Sequence, residues 1–186
     1  MVLKKFVKVG AISNLSDARY CAGMGVTLLG FLLKKGNLQV LELNDFKAIS
    51  GWIEGAEFVG EFVDVSDQEI LEQHNELKFD YVQTNDYQQS IRLAEKGLLV
   101  LYYGHVSSDM TFDHLAYLIL DDLNDAPTKD YSKILLGGAV STDQIDSLDS
   151  VNEEIGIHLL GGEEERPGYK SFDELADILE YLETED

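Results

Sequence analysis

Short apolar runs alternate with longer stretches of helical period along the chain. Residues 6–11 predict a first strand. Residues 14–23 predict the helix after it, with Asn14 or Ser16 placed to cap its first turn. Residues 26–33 form a continuous apolar run, the pattern of a strand buried on both faces. A second helix follows over 43–53, with Asn44 at its cap and Phe46, Ile49, Trp52 and Ile53 on its apolar face. Residues 57–63 predict the third strand, and Ser66 with Glu69 forms a capping-box signature opening the third helix. Strand four is expected at 79–83, its helix at 87–96, strand five at 98–103 and strand six at 116–120. Strand seven spans 133–136 and ends in Gly137-Gly138. A helix capped by Ser141 or Thr142 runs to 148, strand eight covers 154–160, and a helix over 172–182 closes the pattern.

Strand-helix units repeated in this way require a parallel sheet with right-handed crossovers. Eight such strands suit a closed (β/α)₈ barrel, an α/β TIM-barrel architecture. Such barrels usually take about 250 residues, so a chain of 186 residues must be trimmed. The segments 107–114 and 122–132 are short, polar and aperiodic, and they place the missing or shortened helices after strands five and six. No linker or low-complexity tract divides the chain, and residues 1–186 are expected to form a single barrel domain.

Composition adds exclusions. An apolar content of 45% with 26% charged residues is that of an ordinary soluble domain. No apolar run reaches bilayer length, and the first residues lack the apolar core and cleavage pattern of a signal peptide. A cytoplasmic location and no membrane partner are expected. Thirty-five acidic against fourteen basic residues give a net charge of −21, which repels nucleic acid and anionic lipid. The lone Cys21 permits no intrachain disulfide, and on a helix it reads as a small buried hydrophobe.

The opening Lys8-Val9-Gly10-Ala11-Ile12-Ser13-Asn14, followed by Asp17-Ala18, resembles the start of phosphoribosylanthranilate isomerase, an enzyme of tryptophan biosynthesis. The resemblance extends along nearly the whole chain. Leu28-Leu29-Gly30-Phe31, Val59-Gly60 with Phe62-Val63, and Asp80-Tyr81-Val82-Gln83 are similar to that family's second, third and fourth strands. Leu118-Ile119-Leu120-Asp121, Leu135-Leu136-Gly137-Gly138 and Arg166-Pro167-Gly168-Tyr169-Lys170 continue the likeness. It implies an Amadori isomerisation without a cofactor or metal, with Asp121 at the general-acid position. It also implies a ligand seat at the glycine pairs Gly137, Gly138 and Gly161, Gly162.

The departures gather at the implied active site. Gly10 stands where the family carries its catalytic Cys, and Ala11 stands for the Gly after it. Thr84-Asn85-Asp86 replaces Leu-His-Gly, and residues 122–127 replace a glycine-rich phosphate loop. A positioned acid or base contributes roughly 10²–10⁴-fold to such a reaction, so the change at Gly10 predicts a degenerate barrel that binds a small anionic metabolite. Arg166 or Lys170 would assist that binding. A second expectation is an active isomerase whose base has moved to His105 after strand five. A third is a non-catalytic interaction scaffold, partner-binding or oligomeric, using apolar surface bared where helices are short; the protein itself is expected to be a monomer or a homodimer. His158 either points into the barrel beside Glu61 or is a core histidine, and His74 and His114 are expected at the surface. Glu61, Asp64, Asp121 and His158 could converge at strand ends, but their spacing carries no metal signature.

Overall fold

A computed structural model describes residues 2–33, 43–127, 131–138, 140–161, 164–166, 169–170 and 173–184. Eight parallel strands pair in chain order: β1 (Val7–Gly10), β2 (Leu28–Leu32), β3 (Glu57–Phe62), β4 (Tyr81–Thr84), β5 (Val100–Tyr102), β6 (Tyr117–Leu120), β7 (Ile134–Leu136) and β8 (Gly156–Leu160). β1 also pairs with β8, from Val7 opposite Ile157 to Gly10 opposite Leu160, and this closes the barrel. Helices α1 (Leu15–Gly23), α2 (Leu43–Ser50), α3 (Asp67–Leu77) and α4 (Tyr87–Glu95) follow the first four strands. α5 (Thr142–Val151) and α6 (Asp173–Leu182) follow β7 and β8. The molecule is therefore a (β/α)₈ barrel.

Local chemistry sets the helix starts. Asn14, Ser66, Asp86 and Ser141 each accept a backbone N–H from the first turn of the helix they precede. Ser141 and Gln144 complete a reciprocal capping box, whereas Ser66 shows only the forward bond to Glu69, at 3.3 Å. Asn44 is not a cap, because α2 already begins at Leu43. Between β8 and α6 the sequence reading missed an antiparallel hairpin, β9 (Glu164–Arg166) with β10 (Tyr169–Lys170). Its strands are too short to leave a period.

No helix lies between β5 and β6, and the described residues of the segment after β6 hold two single 3-10 turns, Leu123–Asp125 and Tyr131–Lys133. The loops nevertheless cover the sheet. Tyr102 stacks on Phe112 and meets Tyr87 edge-on, and Val100, Tyr102, Leu118, Leu120 and Ile134 are all buried. Met110, Phe112, Leu115 and Pro127 line a cavity of about 220 Å³ in this region, where the interaction-scaffold reading places its apolar surface.

Two apolar layers hold the barrel. One lies between sheet and helices and includes Cys21, buried as expected. The other fills the interior with Leu28, Val59, Leu101, Ile119 and Leu135. Phe6, Tyr81 and Tyr117 pack against it, with Phe6 stacked on Tyr117 at 4.9 Å. Side chains above this plug point to the carboxyl ends of the strands, where (β/α)₈ barrels do their chemistry. Among the described residues no helix is long and apolar enough to cross a membrane.

Candidate active site

The mouth of the barrel is organised around a buried ion pair. Lys8 on β1 is completely buried, and its ammonium group contacts the carboxylate of Glu61 on β3, itself only 6% exposed. The second oxygen, Glu61 Oε2, accepts the backbone N–H of Ala11 at 3.0 Å. Burial pushes the Lys8 ammonium below its ordinary range, while the adjacent Glu61 charge and hydrogen bond pull it back up.

Two glycines on neighbouring strands make room for this carboxylate. A Cβ at position 10 would lie 2.6 Å from Glu61 Oε1, 2.9 Å from His158 Cε1 and 3.1 Å from Lys8 Nζ. At position 30 it would lie 2.1 Å from the same Oε1. At either position a side chain would require the Glu61 carboxylate to shift away from Lys8. Glu61 and Lys8, with His158 beside Gly10, occupy the space that side chains at positions 10 and 30 would enter.

His158 points into the barrel near Glu61, as one of the two sequence readings held. It is 2% exposed, with both ring nitrogens buried and the Lys8 backbone against the ring. Burial first, and then the Lys8 charge, push its imidazole well below the usual histidine range. The ring is neutral near pH 7 and packs edge-on against Tyr103 at 5.4 Å. Tyr103 in turn donates its hydroxyl to Asp121 Oδ1 at 2.7 Å. Burial and that hydrogen bond push the phenol up to about 12.

Asp121 stands at the end of β6, exposed, at the position expected of a general acid. His105 is also exposed, and with Tyr103, Asp121 and Asp125 it lines a cavity of about 160 Å³. The structure thus brings His105 and Asp121 to one opening. Gly138 has φ +73°, a conformation that favours glycine, so the structural reason for the pair Gly137-Gly138 is present. Asp121 Oδ1 lies 3.3 and 3.4 Å from the points where Cβ atoms of these two residues would be. The N–H of Gly137 donates to Leu120 at 2.7 Å, and that of Gly161 to Gly10 at 2.8 Å. Gly162 lies outside the described residues, as do the side chains of Arg166 and Lys170. Asp64 sits exposed after β3, in the left-handed region at φ 55°. No group of side chains suited to a metal ion occurs among the described residues. His114 is half-buried rather than on the surface, with Nε2 2.8 Å from Ser90 Oγ, and His74 is half-buried too.

No protein-family model matches the sequence, and no curated protein matches it either. Solved structures do. Phosphoribosylanthranilate isomerase from Thermus thermophilus is 19% identical, with a TM-score of 0.71 over 95% of this chain and 98% of its own. A monomeric form of the dimeric isomerase from Thermotoga maritima is 21% identical, with a TM-score of 0.70 over 96% and 98%. A third isomerase, solved with reduced 1-(o-carboxyphenylamino)-1-deoxyribulose 5-phosphate, is 20% identical, with a TM-score of 0.68 over 96% and 98%. The chain has the phosphoribosylanthranilate isomerase-like fold.

Within that fold, Lys8, Glu61 and Tyr103 were missed as a group by sequence reasoning. The available signal was a Lys at an inward strand position beside inward glycines on β1 and β2. In barrels of this class phosphate commonly sits at loops after strands seven and eight and at the start of a short extra helix. Here the described part of the β8–α6 segment is the β9–β10 hairpin, and the first turn of α5 is closed by Ser141 and Gln144.

Proposed function

We propose that this protein is a phosphoribosylanthranilate isomerase-like barrel that no longer catalyses the Amadori isomerisation and instead holds a small metabolite at its mouth. One observation carries the proposal. The space above Gly10, where the resemblance places a catalytic side chain, is filled by Glu61, Lys8 and His158. Removing the base costs about 10²–10⁴-fold, and no solvent-open group replaces it on β1. Among the described residues an opening remains at the cavity between Tyr103, His105, Asp121 and Asp125.

Asp121 and Asp125 at this opening support an uncharged ligand over the anionic one expected from the sequence. Asp121 leans over Gly137 and Gly138, and the N–H groups of Gly137 and Gly161 are used within the barrel. Two carboxylates and a phenol at the opening suit an uncharged polyhydroxy compound better. Titration calorimetry with reduced 1-(o-carboxyphenylamino)-1-deoxyribulose 5-phosphate should give no binding heat at millimolar concentration. Micromolar affinity would show an intact isomerase site and end the proposal. In a thermal-shift comparison, free pentoses should stabilise the protein and their phosphates should not.

A second reading rests on the shared cavity of His105 and Asp121, a histidine and a carboxyl group facing one opening. They could serve as base and acid in a relocated isomerase. That reading requires turnover by the native protein and its loss in His105→Ala.

A further inference from the structure

The ion pair at the mouth raises a question that loss of activity does not answer: why the carboxylate comes from β3. Lys8 is fully enclosed, and a buried ammonium needs one anion. The point where a Cβ at position 10 would sit is 3.1 Å from Lys8 Nζ and 2.6 Å from Glu61 Oε1. A side chain on β1 at this position would reach the same ammonium, and it would need the same volume as Glu61. Gly30 on β2 shows the same exclusion from the other side.

We propose that the barrel mouth contains a seat for a single anionic group beside Lys8, which β1 or β3 can fill but never both, and that Glu61 fills it here. Glu61 is then the nearest of the groups that keep position 10 without a side chain, ahead of His158 at 2.9 Å. This rests on the reading that residue 10 no longer serves catalysis, but its test uses no turnover measurement.

The experiment combines Gly10→Cys and Glu61→Val in a Cys21→Ala background, so that the introduced thiol is the only one. Gly10→Cys alone should lower the melting temperature, because the new side chain meets the Glu61 carboxylate. Glu61→Val alone should also lower it, because Lys8 loses its anion. The double variant should melt above both single variants, since a thiolate at position 10 then neutralises Lys8. Its alkylation by iodoacetamide at pH 6.5, relative to pH 9, should exceed that of an ordinary thiol by at least about tenfold, because a neighbouring cation favours the thiolate.

If Gly10→Cys does not fold, Gly10→Ala with and without Glu61→Val supplies the steric half of the comparison. Relief of the Gly10→Ala penalty by Glu61→Val is then the expected result. A double variant no more stable than the worse single variant would overturn the proposal. So would a thiol that titrates like free cysteine, or a Gly10→Ala variant that melts with the native protein.

Discussion

Replacing Glu61 with Gln removes one charge and almost no volume. The amide can still accept the Ala11 N–H and still fits between Gly10 and Gly30. What it cannot do is neutralise Lys8, which has no solvent exposure. Stranding one member of a buried ion pair costs about 3–5 kcal/mol, and a contact pair at an effective dielectric near 20 is worth about 4 kcal/mol. Since Gln keeps a hydrogen bond to the amine, we expect a loss of about 3 kcal/mol at pH 7. The pH dependence is specific. Burial already lowers Lys8, and without Glu61 nothing raises it, so the folded variant carries a neutral amine while the unfolded chain still binds a proton. Stability of the variant therefore rises with pH up to the unfolded lysine value, and its deficit against the native protein narrows between pH 7 and pH 9.5. Urea denaturation at both pH values, with unchanged dependence on denaturant, measures this directly. A deficit under about 0.5 kcal/mol at pH 7, or one that does not change with pH, would refute the reasoning.

Three further outcomes follow from single residues. Ala11 adopts φ 54°, a left-handed conformation that costs a residue with a Cβ about 1 kcal/mol; Ala11→Gly should raise stability by up to that amount in urea denaturation. His158 is neutral in the fold and protonatable in the unfolded chain, so below pH 6.5 the native protein should lose up to about 1.4 kcal/mol per pH unit from this group. His158→Phe, which cannot take the proton, should show a flatter stability curve between pH 7 and pH 5. Ser141→Ala removes the cap of α5 and one side of its capping box; a loss of about 1 kcal/mol is expected.

The barrel was readable because β2, β5, β6 and β7 are unbroken apolar runs and because Asn14, Ser66 and Ser141 mark helix starts chemically. The strands read from the sequence run one or two residues longer, as at Phe6 and Leu33, because inter-strand bonding outlasts the strand bounds: Phe6 accepts the Ile157 N–H at 2.8 Å and Leu33 donates to Glu61 at 3.0 Å. The gaps after β5 and β6 were visible as aperiodic polar sequence. That Phe112 and Leu115 fold back over the sheet there was not, because only tertiary contact decides it. The site was half legible. The substitution at Gly10 and the position of Asp121 stood out in the linear sequence. The partnership of Lys8 with Glu61 did not, for it joins residues 53 apart through the curvature of a closed barrel.

The most direct measurement is steady-state turnover of N-(5-phosphoribosyl)anthranilate by purified protein, beside a variant lacking both His105 and Asp121. A barrel whose base position is filled by Glu61 should give a rate indistinguishable from the uncatalysed reaction and from that variant. A kcat/KM in the ordinary enzyme range of about 10⁴–10⁸ M⁻¹s⁻¹, abolished in the variant, would contradict the account.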